Sequence, residues 1–346
     1  MKKIMLLILI SIMLTIPVSA TEIETVAPPD VALDHMPDST GDFGKDLWYV
    51  IKSAISSLRP DFAEASAVCL RVFSVVLLVS VLQSFHGLGK TAVQLTGIIA
   101  ISLLLLNSSH SLICLGTETV REISQYGMLL LPVMTAALAA QGGITSSGAL
   151  YAGTAIFDSI LSTAISSVLI PMVYIFIALG ILAAATEQDL ISRLQDFVKW
   201  LLTWCLKIIL YIFTGYITIT GVISGSTDQT TLKAAKVTIS SAVPVVGNIL
   251  SDASEAFLVS IHLAKNAAGT YGILAMLAIV IGPFLTISIH SMFLKLTAAV
   301  CGVFSNKKCS DLIGTFSTAM AFLLAMTGTE CLIQLISTVC FMKGMG

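Results

Sequence analysis

The stretch KAAKVTISSAVPVVGNILSDASEAFLVSIHLAKN, residues 233–266, combines an apolar background with residues that break or polarise a helix. Pro244 and Gly247 lie in its first half, and polar side chains follow within two helical turns, at Asn248, Ser251, Asp252, Ser254 and Glu255. A simple membrane span needs about 20 mostly apolar residues, so this much polarity is unexpected in one. The pattern predicts a re-entrant or interfacial helix, because polar, irregular backbone at membrane depth is tolerated only where protein or water covers it.

The same arrangement of prolines occurs earlier in the chain. Pro132 lies in LLLPVMTAAL as Pro244 lies in SAVPVVGNIL, and a long apolar stretch with its own proline follows each, at Pro171 and Pro283. The spacing within each pair is 39 residues. Hydropathy repeats of this kind are typical of membrane transport folds. The sequence therefore predicts an internal repeat, with membrane repeat 1 at residues 117–225 and membrane repeat 2 at residues 230–341.

Composition places the chain in the membrane. Charged residues make up 11% of the sequence, against about 25% in soluble domains, and the mean hydropathy is +0.96. The predicted fold is all-α: a polytopic helical membrane protein with about six spans plus two re-entrant or interfacial Pro/Gly helices. The first two spans occupy residues 65–116, and counting both Pro/Gly helices as full spans would give eight. The net charge of −2 and the lack of a basic block argue against nucleic-acid binding.

The N-terminus has the features of a secretory signal peptide at residues 1–20. Lys2 and Lys3 precede an apolar run that is too short to span a bilayer, and Val18-Ser19-Ala20 resembles a cleavage site. An exported acidic segment follows at residues 21–64, and apolar residues at helical spacing from Leu47 to Leu58 predict an amphipathic helix within it. This helix would lie on the outer membrane surface, dock on a partner or pack on the protein's own spans.

No catalytic, cofactor-binding or metal-binding pattern is present. The five histidines are scattered, no Cys-x-x-Cys pair occurs, and the seven cysteines lie mostly inside apolar runs, as small buried side chains do. Asp252 and Glu255 share a helical face with Ser251 and would suit cation binding or acid–base chemistry. A helix N-cap at Ser251 or Asp252 explains the same residues without any ligand.

Four ionisable residues within apolar runs are candidate intramembrane polar groups: Arg71, Asp158, His290 and Glu330. A charge at mid-bilayer costs roughly 2.5–3.5 kcal/mol on insertion scales, so such residues indicate a polar path or charge pairs between spans. Arg71 is long enough to reach the interface. Asp158 and Glu330 are not, so we expect them to face inward, either for function or to hold helices together.

The sequence around Pro244 resembles the stage III sporulation protein AE family of endospore-forming Firmicutes. The similarity rests on AKVTISSAVPVVGNILSDASEAFLVSIHLAKNAAGTYG, residues 235–272, and above all on the segments 244–247, 250–252 and 265–269. LLLPVMTAALAAQGG, from Leu129 to Gly143, resembles the family's earlier proline segment. The chain departs from the pattern at Asn248, where the family has glycine, and its exported segment is short. Candidate conduit or structural residues are therefore Pro132, Pro171, Pro244, Gly247, Ser251, Asp252, Glu255, Asn266 and Pro283.

The resemblance implies a non-enzymatic component of a secretion-like channel between mother cell and forespore, in the mother-cell membrane that faces the forespore. Implied partners are the lipid bilayer, ring-forming and ATPase-like stage III sporulation proteins, and the stage II sporulation protein Q complex. Two rival hypotheses remain open. One is a stand-alone secondary transporter, and the other is a membrane scaffold whose acidic exported segment recruits the ring-forming proteins.

Overall fold

The fold is built entirely from helices in the residues that the structure describes. The structure is a computed structural model, and it describes residue 36 and residues 43–84, 89–140, 144–186, 188–219, 267–304 and 307–344. The regular elements are α1 (Phe43–Ser57), α2 (Arg59–Gln83), α3 (Lys90–Ala140), α4 (Ile144–Ala164), a π-helical turn (Ile165–Leu169), α5 (Ile170–Ala185), α6 (Asp189–Ile219), α7 (Ala267–Phe304) and α8 (Lys307–Gly344). The predicted all-α class is confirmed.

Six helical segments of the described part are long and apolar enough to cross a membrane. These segments are Arg59–Gln83, Thr91–Ala136, Tyr151–Ala185, Asp189–Tyr216, Gly269–Val303 and Lys307–Met342. Their number agrees with the six spans predicted from the sequence. The protein is therefore a multi-pass membrane protein. Pro60 occupies the first turn of α2, as expected of a residue whose missing N–H has no intrahelical acceptor there.

Helix α8 is the centre of the bundle. In its most apolar stretch 78% of the residues are buried, against 56% or less in the other five spans. It contacts α3, α4, α5, α6 and α7. Since lipid lies against the outside of a bundle, residues of α8 are those with the least access to lipid.

Contacts along α8 fix the direction of its neighbours. It runs antiparallel to α7, where Ser291 and Ser317 exchange hydrogen bonds, each hydroxyl donating to the other residue's carbonyl oxygen at 3.2 and 2.9 Å. Helices α4 and α5 form one long antiparallel arm along α3, because Ser124 meets Asp158 near one end and His110 meets Tyr174 near the other. Thus α3, α4 and α8 converge at the level of Asp158.

A π-helical turn precedes Pro171. The turn spans Ile165–Leu169, and Pro171 then lies in the first turn of α5. A proline lacks the N–H that would bond four residues back and its ring crowds that carbonyl, and one wider turn before it relieves both problems. Pro283, at the matching place in the second predicted repeat, lies inside the continuous helix α7.

The first proline segment was predicted to be a separate half-span, and this boundary was wrong. Residues 90–140 form one helix, which continues through the polar residues Glu118, Arg121 and Glu122 and contains Pro132 in its interior. Glutamate and arginine are good helix formers, and in an apolar environment the backbone has no better partner than its own carbonyls. The boundary drawn at residue 117 therefore falls inside α3.

Helix α6 begins at Asp189, so the mixed-charge residues from Asp189 to Lys199 are part of this helix and not a linker before it. Within it, the side chain of Gln195 donates to Thr315 Oγ1 of α8 at 3.0 Å, so this part of α6 is docked on the bundle.

The predicted amphipathic helix is α1. Val50 and Ala54 are buried, whereas Ile55 is 56% exposed. Helix α1 packs on α7, which agrees with the alternative that it covers the protein's own spans. Four parts of the sequence lie outside the described residues: the signal peptide, residues 21–35 and 37–42 of the acidic segment, and the second Pro/Gly stretch with Pro244, Gly247, Ser251, Asp252, Glu255 and Asn266. The internal repeat stays a prediction.

Candidate functional site

The structure brings two of the four intramembrane candidates together and separates the others from them. Asp158 and Glu330 are 1% and 0% exposed, on α4 and α8 respectively. Arg71 is exposed on α2. His290 is buried on α7, but its Nδ1 lies 3.0 Å from the carbonyl oxygen of Thr286 on the same helix. That Asp158 and Glu330 have a function stays a prediction, and their inward position makes them the candidate site.

The carboxyl group of Asp158 accepts hydrogen bonds from two side chains. Ser124 Oγ of α3 donates to Asp158 Oδ2 at 2.8 Å, and Gln334 Nε2 of α8 donates to Asp158 Oδ1. A carboxylate accepts hydrogen bonds only, and a buried one is stable only when its oxygens are paired. The two donors therefore satisfy both oxygens of Asp158, and they connect three helices through one side chain.

Glu330 has a different environment. Asp158 and Gln334 are the polar groups that act on its carboxyl group, yet neither of its buried oxygens has a hydrogen-bond partner with ordinary donor geometry. The amide of Gln334 gives its hydrogen bond to Asp158 instead, and two ionised carboxylates offer acceptors and no donor between them. Buried polar atoms without partners are rare in proteins, so Glu330 requires an explanation.

A glycine makes room for the amide that reaches Asp158. Gly127 of α3 is buried, and a Cβ at this position would overlap the amide group of Gln334. Small residues let membrane helices approach closely. Sequence reasoning missed Ser124, Gly127 and Gln334. Only the spacing of Gln334, four residues after Glu330 and so on the same helical face, could have indicated it.

Hydroxyl groups continue along the same side of α8. Thr154 Oγ1 donates to Ser337 Oγ at 3.2 Å, which ties α4 to α8 about one turn beyond Gln334. Thr338 donates to the carbonyl oxygen of Gln334 at 2.9 Å. The carboxyl pair is therefore the centre of a polar seam between α4 and α8, inside an otherwise apolar core.

The proline candidates lie away from this seam. Pro132 and Pro171 are exposed, and Pro283 is half-buried. None of the three therefore lines the buried interior near Asp158. Within the residues that the structure describes, no group of three His, Cys, Asp or Glu side chains is arranged to hold a metal ion.

Comparison with known proteins identifies the family. A family model described as stage III sporulation protein AE matches residues 35–344. The chain belongs to the stage III sporulation protein AE family. The match covers every helix described above, including α3, α4 and α8 with the carboxyl pair. The family is named for stage III of sporulation and is not a known enzyme family.

A curated member of the stage III sporulation protein AE family is similar over part of its length. The protein "Stage III sporulation protein AE" of Bacillus subtilis (strain 168) is 26% identical over 236 residues, which cover 67% of this chain and 58% of that protein. The matched region thus spans a little over half the length of the relative. No solved structure gives a significant match.

Proposed function

We propose that this protein is a membrane subunit of a secretion-like channel complex that connects the mother cell with the forespore, and that it performs no enzymatic chemistry itself. The observation that carries the proposal is the match of a sporulation family over residues 35–344 of a chain with six apolar helices around a buried central one. The resemblance noted from the sequence supplies the channel role. The proposed location is the mother-cell membrane facing the forespore, with the N-terminal segment outside the cytoplasm after signal cleavage.

Partner proteins follow from the same proposal. A subunit of such a complex should bind ring-forming and ATPase-like stage III sporulation proteins and the stage II sporulation protein Q complex. We expect cross-linking in sporulating cells, followed by purification of the full-length protein, to recover ring-forming stage III proteins. Recovery of none of these proteins from cells in which the chain is inserted would contradict the proposal.

The second Pro/Gly stretch provides the genetic test. In this proposal its residues line or brace the conduit, so the substitutions Pro244→Ala, Gly247→Leu and Asp252→Asn should block spore development. The matched control is Gly215→Ala on α6, where an added Cβ meets nothing within 4 Å. Membrane insertion should be normal in all four strains. Normal spores from the three substituted strains would refute the conduit role.

The buried carboxyl pair favours a second candidate function, a stand-alone secondary transporter. Ionisable residues inside a membrane bundle commonly mark ion or proton pathways. This alternative predicts solute flux in vesicles that contain the purified chain alone, and loss of that flux in Asp158→Asn. A channel subunit that needs its partners gives no flux in the same vesicles.

A further inference from the structure

In the part of the chain that the structure describes, no positive side chain is buried beside the carboxyl pair. Among the described residues, the buried aspartate, glutamate and histidine side chains are Asp46, Asp158, His290 and Glu330, and no lysine or arginine is buried. His290 bonds within its own helix. The polar side chains beside Glu330 are those of Asp158 and Gln334, and Cys331 is the next residue in the chain. Neither α3, α5, α6 nor α7 contributes a charged neighbour to Glu330 among the described residues.

Two adjacent negative charges in such a place need a bound cation. Burial removes the water that stabilises a carboxylate, and a second carboxylate beside it adds repulsion, so both cannot remain ionised without a partner. The buried charges of folded proteins are paired or coordinate metals. The described part of the chain supplies no paired cationic side chain here, which leaves a bound ion as the source of positive charge within the described residues.

Hydrogen-bond geometry selects the ion and its position. A metal ion at Asp158 would need oxygen ligands, but Gln334 presents its NH₂ group to Asp158 Oδ1 and Ser124 donates to Oδ2. Each oxygen of Asp158 thus has one donor and keeps a second acceptor site, and the amide of Gln334 presents no oxygen to a metal ion there. The oxygens of Glu330 have no donor, and a protonated carboxyl group becomes a donor itself.

We propose that Asp158 and Glu330 form a proton-binding site in which Glu330 holds one proton and donates it to the Asp158 carboxylate. The proton gives Glu330 the partner that its buried oxygens lack. It also leaves the pair with a single negative charge, which Ser124 and Gln334 stabilise. This site is independent of the proposed channel role, since it follows from the contacts of α3, α4 and α8.

Infrared spectroscopy tests the site directly. A protonated carboxyl group has a C=O stretching band that ionised carboxylates lack, and its frequency shifts on exchange into D₂O. We expect the purified full-length protein in detergent at neutral pH to show one such band. Glu330→Gln should remove it, because the amide replaces the protonated acid with a group of similar shape and hydrogen-bonding capacity.

A matched control and a second variant complete the design. Glu118→Gln removes an exposed carboxylate from α3 and should leave the band unchanged. Asp158→Asn should keep the band, shifted because the charged acceptor of the Glu330 proton has gone. No band in the native protein, or an unaltered band in Glu330→Gln, would overturn the proposal. If Glu330→Gln does not insert, an unshifted band in Asp158→Asn overturns it equally.

Thermal stability separates a proton from a sodium ion. A proton bound only by the folded protein stabilises it by mass action, so the midpoint of unfolding should fall as the pH rises above the range in which an unfolded glutamate loses its proton. Glu330→Gln should be less sensitive to that change of pH. Replacing sodium by N-methylglucamine at constant pH should change neither midpoint. A native midpoint that rises with sodium at constant pH would show a sodium site and refute the proton site.

Discussion

Gly127→Ala should destabilise the protein even though alanine is the better helix former. The added Cβ overlaps the Gln334 amide, which has to move and then no longer donates to Asp158. Losing a hydrogen bond to a charged group costs about 1.5–3 kcal/mol, while replacing glycine by alanine in a helix gains roughly 0.5–1 kcal/mol. The net loss of unfolding free energy should be about 1–2 kcal/mol.

The sign of this effect should reverse when Gln334 is absent. In a Gln334→Ala background no amide occupies the space, so Gly127→Ala keeps only its gain in helix propensity and should stabilise by about 0.5–1 kcal/mol. Gly314→Ala on α8 is the matched control, because its added Cβ meets nothing within 4 Å. It should stabilise both backgrounds equally.

Equilibrium unfolding of the purified protein in mixed detergent micelles measures all of these variants. The double-mutant cycle isolates the contact between residues 127 and 334, provided that neither single change creates a new contact. If Gly127→Ala stabilises the native background as Gly314→Ala does, the close approach of α3 to Gln334 is wrong. If the sign is the same in both backgrounds, the amide is not the group that the new methyl displaces.

Three further predictions concern other contacts of the bundle. Ser317→Ala should lower the unfolding free energy by about 0.6 kcal/mol, the average for side-chain hydrogen bonds in membrane bundles. Ser291→Ala should have a comparable effect in the same assay, because each hydroxyl donates to the backbone carbonyl of the other residue. If both variants unfold at the native value, this pairing is contradicted. Asp61→Ala should lower the unfolding free energy by about 1 kcal/mol, because it removes the acceptor that lies 2.9 Å from Thr286 Oγ1. Asp61→Asn keeps an acceptor oxygen and should retain most of that stability. Equal losses in the two variants would argue against the contact. Pro132→Ala should raise the unfolding midpoint, because it restores a backbone N–H that can form a helical hydrogen bond inside α3. A lowered midpoint would show that contacts of the proline ring stabilise the protein more than this backbone hydrogen bond does.

The sequence was most informative where hydropathy decides the structure. Each predicted span corresponds to one apolar helical segment, since about 20 apolar residues in a row have few alternatives to crossing a bilayer. The short side chains of Asp158 and Glu330 implied that both would face inward, and both are buried. That they lie beside each other depends on the packing of α4 against α8, which a single sequence does not encode in its hydropathy.

The sequence misled where polar residues were interpreted as ends of helices. Glu118, Arg121 and Glu122 interrupt the apolar run but not α3, because charged side chains on the outside of a helix leave its backbone bonds unchanged. Pro132 also lies inside the continuous helix α3, so this proline does not mark the end of a helix. Gln334 and Gly127 were overlooked because an uncharged amide and a glycine are ordinary in a membrane helix, and only their contact makes them distinctive.

The length of α3 has a consequence for handling the protein. At about 1.5 Å per residue, its 51 residues extend about 76 Å, whereas the hydrocarbon layer is about 30 Å thick. Even a tilt of about 40°, the upper end of the usual range, leaves some 25 residues beyond that layer. Large apolar side chains are exposed in both halves of the helix, at Ile99, Leu103, Met128 and Leu129. A preparation must therefore cover apolar surface over a height greater than that of the hydrocarbon layer, which favours a detergent micelle whose size adapts to the protein.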